Sequence, residues 1–171
     1  LRLTMNPGSW RMFMARKADK AFRAFEQKVL ERDNYICQFC GFQARDYQEV
    51  INIDNNYRNN KLDNMATACC FCSQCFFVES VGVSGYGGGN LVFLPELQQA
   101  EINAFCHVLF CGIANGTAYK ETAQKIYRGL KFRSQAVEQH YGDGCSKPSV
   151  LARLMLAQPT QSKAFFADVF K

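Results

Sequence analysis

The amino-acid sequence predicts an α+β fold in which a cysteine-rich core of mixed structure is followed by a helical C-terminal half. Two C-x-x-C pairs in the first half of the chain indicate the core. Between them, the apolar residues of 49–54 alternate as in a strand. Beyond residue 95, apolar residues recur at helical spacing and glycines stand near the segment ends, which predicts the helical half.

The composition agrees with one folded unit. The chain has 171 residues, of which 48% are hydrophobic and 20% are charged. It can therefore bury enough apolar surface to offset the entropy cost of ordering, which excludes a mostly disordered chain. We expect a single domain over residues 1–171, made of a metal-bound core at 18–80, a glycine-rich loop and short strand at 81–94, and a helical half at 95–171 packed on the core.

The elements of the first half follow from spacing and turn residues. Phe22, Phe25 and Val29 recur at helical spacing, and Asn and Asp residues crowd the loop that precedes the second cysteine pair. In chain order we predict an irregular segment over 1–15 with a turn at 7–9, a helix over 18–32, a turn-rich segment over 33–41, a strand over 49–54, a loop over 55–64, and a helix that begins near 62–64 and carries residues 65–76.

The second half begins with a glycine-rich segment, residues 82–90, which contains five glycines and predicts a mobile loop. It lacks the Lys-Ser/Thr ending of a phosphate loop and the spacing of a dinucleotide fingerprint, which argues against nucleotide binding. The remaining elements predicted are a short strand over 91–94 and helices over 96–115, 118–131, 134–141, 148–157 and 162–170.

We expect a soluble, cytoplasmic protein. The first residues lack the charged lead and apolar stretch of a signal peptide. The uncharged segment 102–119 contains polar residues and glycines, which indicates a buried helix rather than a membrane span. In a reducing compartment, clustered cysteines bind metal more often than they form disulfides.

The positive charge is concentrated at the start of the chain. The net charge is +5, and residues 1–32 hold eight Lys and Arg residues but three acidic residues. Such a segment could contact nucleic acid, an anionic membrane surface or an acidic protein. The charges are spaced rather than clustered, which favours a solvated helix face.

The cysteine pattern predicts a metal site. Two C-x-x-C pairs, Cys37/Cys40 and Cys69/Cys72, can supply four thiolates to one tetrahedral Zn²⁺, and such a closed set is structural. Cys75 offers an alternative register, in which it pairs with Cys72. Cys70 is expected to be a bystander or another competitor in register, and three cysteines of the helical half are expected to pack in the core: Cys106, Cys111 and Cys145. We expect His107 to be a buried core residue rather than a ligand.

The segment from 29 to 75 resembles the HNH endonuclease module. That family has a helix ending in Arg-Asp, a C-x-x-C-Gly turn, a strand ending in Asp-His, and an Asn-Leu helix start that leads to the second C-x-x-C. The matching residues here are Arg32 and Asp33, Cys37, Cys40 and Gly41, Asp54, Asn64 and Met65, and Cys69 and Cys72. The resemblance implies a zinc-stapled, HNH-like ββα-type core with an N-terminal helix, and it favours the Cys69/Cys72 register.

The chain departs from this family at the positions that carry catalysis. Active members use a His after the strand Asp as general base and a second His near the second cysteine pair to hold a catalytic metal. Asn55 and Ser73 stand at these places. An Asn amide cannot take a proton from water near pH 7, so we expect no enzyme activity and no catalytic residues.

Over nearly its whole length the chain is similar to a family of coupling-complex subunits from type IVB (Dot/Icm) secretion systems. The segments that carry this similarity are 6–11, 53–60, 85–90 and 105–111. It implies a non-enzymatic, zinc-binding adaptor at the cytoplasmic face of the inner membrane. Its partner would be the C-terminal extension of the coupling ATPase DotL, alongside DotM and the IcmS–IcmW pair, and no small-molecule substrate is expected. The alternative is a nucleic-acid-binding or nicking HNH-family protein.

Overall fold

The computed structural model describes residues 1–158, so the helix predicted over 162–170 lies outside the described residues. The fold is a mixed α+β arrangement, as predicted. Its helices are α1 (Pro7–Lys17), α2 (Lys20–Arg32), α3 (Cys70–Gln74), α4 (Gln99–Ala114), α5 (Lys120–Phe132), α6 (Ser134–Tyr141) and α7 (Pro148–Ala157). Its strands are β1 (Gln48–Asn52) and β2 (Met65–Cys69), and single 3₁₀ turns occupy Leu62–Asn64 and Val78–Ser80.

Helix α1 corrects the prediction of an irregular start. Asn6 is the N-cap, and its side chain accepts a hydrogen bond of 3.1 Å from the Ser9 amide. Pro7 stands in the first turn, where its fixed φ suits a helix and its missing N–H costs nothing. The Pro-Gly-Ser sequence predicts a turn, but in the structure it opens a helix that buries Phe13.

Helix α2 follows the prediction closely and begins after the N-cap Asp19, whose carboxylate accepts from the Ala21 amide. Its apolar face buries Phe22 and Val29 against Val50 and Met65 of the two strands. The helix thus covers one face of the strand pair.

The two strands form an antiparallel pair in which Gln48 lies opposite Cys69 and Asn52 opposite Met65. The helix predicted over 65–76 is therefore wrong in its first half: after the 3₁₀ turn at Leu62–Asn64 the chain forms a strand, and the α-helix begins at Cys70. Every residue of β2 is buried. A strand buried on both faces shows no alternation and cannot be told from a buried helix by periodicity.

The core beside this strand pair is largely aromatic. Phe13 of α1 lies 4.7 Å from Phe77 between ring centroids, and Tyr57 contacts both rings edge-on or tilted. Trp10 packs against Tyr86 of the glycine-rich segment with the two rings tilted and their centroids 4.3 Å apart. Helix α1 therefore packs against both this segment and the cysteine-rich core.

The second half is helical, as predicted, with α4 packed on α5 and α7 packed on the 3₁₀ turn at Val78–Ser80. Residues 82–90 form no regular strand or helix, as expected of a glycine-rich loop. Residues 91–94 do not form the predicted strand: Leu91 donates one backbone hydrogen bond to Ser146, and within residues 1–158 no neighbouring strand extends this contact. No helix among residues 1–158 is both long and apolar enough to cross a membrane.

Candidate metal centre

The four cysteines of the two predicted pairs converge in one cluster. The Sγ atoms of Cys37, Cys40, Cys69 and Cys72 all lie within 4.8 Å of one another. The sulfurs of Cys40 and Cys69 are 3.6 Å apart. A tetrahedral Zn²⁺ with bonds of about 2.3 Å requires sulfur separations of about 3.8 Å, so the cluster has the dimensions of a four-thiolate metal site.

The first pair lies on a tight turn between α2 and β1. The Cys37 amide donates to the Phe42 carbonyl at 2.9 Å, and the Gly41 amide donates back to the Cys37 carbonyl at 3.0 Å. Gly41 has φ of +76°, a conformation that side-chain-bearing residues rarely adopt. The turn is tied to β2 by a 2.9 Å hydrogen bond from the Gln38 amide to the Thr67 carbonyl.

The second pair lies at the junction of β2 and α3. Cys69 ends the strand and caps the helix, and its sulfur accepts a hydrogen bond of 3.4 Å from the Cys72 amide. Cys72 stands in the first turn of α3, so both sulfurs point to the same side. A backbone donor beside a sulfur favours the thiolate that a metal needs.

The thiols influence one another strongly. Hydrogen bonds from Cys69 and Cys72 lower the pKa of Cys37, and the same contacts raise the pKa values of Cys69 and Cys72. Cys37, Cys69 and Cys72 are buried and lie close together, so these three thiols resist carrying negative charge at the same time. A divalent cation would compensate the remaining charges, which is the chemistry expected of a metal-binding set.

Cys75, which forms the alternative C-x-x-C pair with Cys72, lies outside the cluster. Its buried thiol donates to the Phe71 carbonyl at 3.4 Å, and burial raises its pKa to about 11. Cys145 packs against Leu151 and Met155, in line with the expected packing role. Cys111 is exposed, which corrects the expectation that it packs in the core.

Helix α4 brings two further polar side chains to the cluster. His107 Nε2 lies 3.1 Å from Cys69 Sγ. Asn103 Nδ2 lies 3.3 Å from Cys72 Sγ and 3.6 Å from Cys75 Sγ. His107 is buried, as predicted, and burial lowers its pKa, which favours the neutral imidazole.

The contacts of His107 and Asn103 with the cysteines were not predicted. Their one available sequence signal was the i, i+4 spacing of two polar residues on an apolar helix.

Asn55 and Ser73 are the residues that the HNH resemblance places at the catalytic positions. Asn55 follows β1 with φ of +57°, and its carbonyl accepts from the Ser9 hydroxyl at 2.8 Å. Ser73 is buried and donates to the Cys70 carbonyl at 3.2 Å. Asp54 accepts hydrogen bonds from neighbouring Asn side chains.

Fold and site together define a mixed α+β protein built around a four-cysteine candidate metal centre. No known family model matches the chain. The type 4 apparatus protein DotN of Legionella pneumophila is 57% identical to it over 171 residues, a match that covers 100% of this chain and 80% of that relative. The chain therefore belongs to the DotN family.

Proposed function

We propose that this chain is a non-enzymatic, zinc-binding adaptor subunit of a type IVB (Dot/Icm) secretion coupling complex. It binds the C-terminal extension of the coupling ATPase DotL, alongside DotM and IcmS–IcmW, and helps assemble the platform that receives effector proteins. It is cytoplasmic and reaches the inner membrane through these partners. The observation that carries the proposal is the 57% identity to a DotN protein over the whole chain.

The proposed ion is one structural Zn²⁺ held by Cys37, Cys40, Cys69 and Cys72. Four soft sulfur ligands in a compact set suit zinc better than Mg²⁺ or Ca²⁺, which prefer oxygen. Three of the four cysteines are buried. A closed shell leaves no open position for water or substrate, so the ion stabilises the fold.

The order of elements supports an HNH-like core whose catalysis has been lost. A helix, a C-x-x-C turn, two antiparallel strands and a short helix that carries the second C-x-x-C follow one another in that order. Asn55 stands at the place of the general base, and its amide cannot activate water.

A partner peptide needs an apolar surface that it can enter, and the helical half provides one. A cavity of about 390 Å³ lies between the glycine-rich segment and helices α4 and α5. Its lining is mainly apolar and includes Leu97 and Tyr127, which are 41% and 36% exposed. We propose that an apolar side chain of the DotL extension occupies this cavity, because buried anchors in pockets dominate interface energies.

The glycine-rich segment forms one wall of this cavity. The Gly88 amide donates to the Gln74 side chain at 2.9 Å. A Cβ on Gly87 would lie 2.2 Å from the oxygen of that side chain, and the φ of Gly87 is +58°. A residue without a side chain, in a conformation that other residues rarely adopt, therefore lets the segment lie against the Gln74 side chain of α3.

Binding of the purified full-length chain to the DotL C-terminal extension tests the proposal. We expect tight binding that changes little between low and high salt. Leu97→Glu should weaken it by about 30-fold, the effect of one interface hot spot. Ile53→Glu, which alters another exposed apolar side chain outside the cavity, should not.

The alternative function, binding or nicking of nucleic acid, can be tested with the same purified protein. It predicts binding to DNA that falls steeply as salt rises, because phosphate contacts release counterions. A nicking enzyme would also cut DNA in the presence of Mg²⁺. Either result, combined with no binding to the DotL extension, would contradict the adaptor function.

A further inference from the structure

Helix α4 presents two buried polar side chains to the cysteine cluster, one turn apart. Asn103 and His107 are 7% and 9% exposed. They reach different sulfurs: Asn103 Nδ2 lies 3.3 Å from Cys72 and His107 Nε2 lies 3.1 Å from Cys69. Residues at i and i+4 share one face of a helix, so this face of α4 is directed at the cluster.

Both side chains are held in place by other contacts. The Gln99 side-chain amide donates to Asn103 Oδ1 at 2.9 Å, which leaves the Asn103 NH₂ group directed at the sulfurs. The His107 ring stacks on Phe42 at 3.7 Å and on Phe71 at 4.2 Å between centroids. Neither side chain therefore depends on the sulfurs alone for its position.

We propose that His107 and Asn103 are positioning residues that donate hydrogen bonds to the metal-bound thiolates of Cys69 and Cys72, and that they fasten the helical half to the metal centre. The inference rests on the proposed zinc site. A metal-bound thiolate can only accept, so both nitrogens act as donors. Such hydrogen bonds are charge-assisted and stronger than neutral ones.

In this arrangement the metal ligands and the side chains that contact them come from different halves of the chain. All four sulfurs come from residues before position 73, and both donors come from α4, beyond residue 98. The metal and the docking of α4 therefore stabilise each other: the bound ion keeps the sulfurs as thiolates, and thiolates hold α4 more firmly. Loss of either donor weakens metal binding although all four ligands remain.

Cobalt substitution of the full chain tests this directly. Co²⁺ in a four-thiolate site shows sulfur-to-metal charge-transfer absorption, whose energy rises when a hydrogen bond stabilises the sulfur electrons. His107→Phe keeps the aromatic stack and removes the donor. We expect its charge-transfer band to shift to longer wavelength and its metal affinity, measured by competition with a chelator, to fall about 10- to 100-fold.

Two matched variants separate the donor from packing. His107→Gln restores a side-chain N–H and should recover part of both effects. His140→Phe changes the other histidine, on α6, and should leave the spectrum and the affinity unchanged. If His107→Phe does not fold, Asn103→Leu provides the same test at Cys72.

The outcomes distinguish this inference from the proposed function. A chain that binds Co²⁺ with an unshifted band and unchanged affinity in His107→Phe and Asn103→Leu contradicts the role of α4 and leaves the zinc site standing. A wild-type chain that takes up neither Co²⁺ nor Zn²⁺ contradicts the zinc site itself.

Discussion

Replacement of Cys69 by Ser should weaken metal binding and destabilise the protein. Its sulfur lies 3.6 Å from Cys40 Sγ, accepts a hydrogen bond from the Cys72 amide, and lies 3.1 Å from His107 Nε2. A structural Zn²⁺ contributes about 10–16 kcal/mol in small zinc modules, so one of four sulfurs accounts for about 3–4 kcal/mol. The expected loss of metal affinity is about 100- to 1,000-fold.

The measurement is metal content after purification, followed by competition with a chelator for the retained ion. Cys75→Ser is the matched control, because Cys75 is also buried in the same segment but lies outside the cluster. A Ser hydroxyl can still donate to the carbonyl that the Cys75 thiol contacts. Loss of metal in Cys75→Ser together with retention in Cys69→Ser would refute the assignment of the ligands.

Three further predictions concern the surroundings of the site. Arg16→Met should lower the free energy of unfolding by about 3 kcal/mol in urea titrations, because the half-buried guanidinium donates to two acceptors on β1. Arg11→Met, at an exposed position on the same helix, should cost under about 0.5 kcal/mol. Burial raises the pKa of Glu79 in the folded protein above its ordinary value of 4.5. Between pH 4.5 and that raised pKa, the folded wild type binds more protons than the unfolded chain, so it loses stability as the pH rises through this range. The stability of Glu79→Gln relative to wild type should therefore increase with pH there, and an unchanged difference would show that the carboxyl titrates normally. Gly87→Ala should destabilise the protein by about 1 kcal/mol or more in thermal melts, and equal melting temperatures for Gly87→Ala and Gly88→Ala would contradict the close approach to α3.

The sequence predicts much of this fold where a pattern is local. The helix predicted over 18–32 matches α2 to within two residues, because Phe22 and Val29 repeat at helical spacing. The convergence of the two C-x-x-C pairs was also predictable, since a tetrahedral metal site needs four ligands and the spacing supplies them.

The errors in the fold have physical causes that a single sequence conceals. Residues 65–69 form a strand because they pair with β1, and that pairing lies in no local pattern. The start of α1 was missed because Pro7 favours a turn and a first helical residue equally well.

The contacts from α4 could not be predicted at all. His107 lies 38 residues beyond Cys69 in the sequence, and only the packing of the helical half brings the two together. A lone histidine on an apolar helix is in most proteins a core residue. The part of the site that joins the two halves of the molecule therefore emerged only from the structure.

X-ray absorption spectroscopy at the zinc edge of the purified full-length chain tests the central claim most directly. The account predicts about one zinc per chain with four sulfur neighbours at about 2.3 Å and no nitrogen or oxygen neighbour, because His107 donates to a sulfur and does not bind the metal. A nitrogen neighbour at about 2.0–2.1 Å, fewer than four sulfurs, or protein that folds without zinc would contradict it.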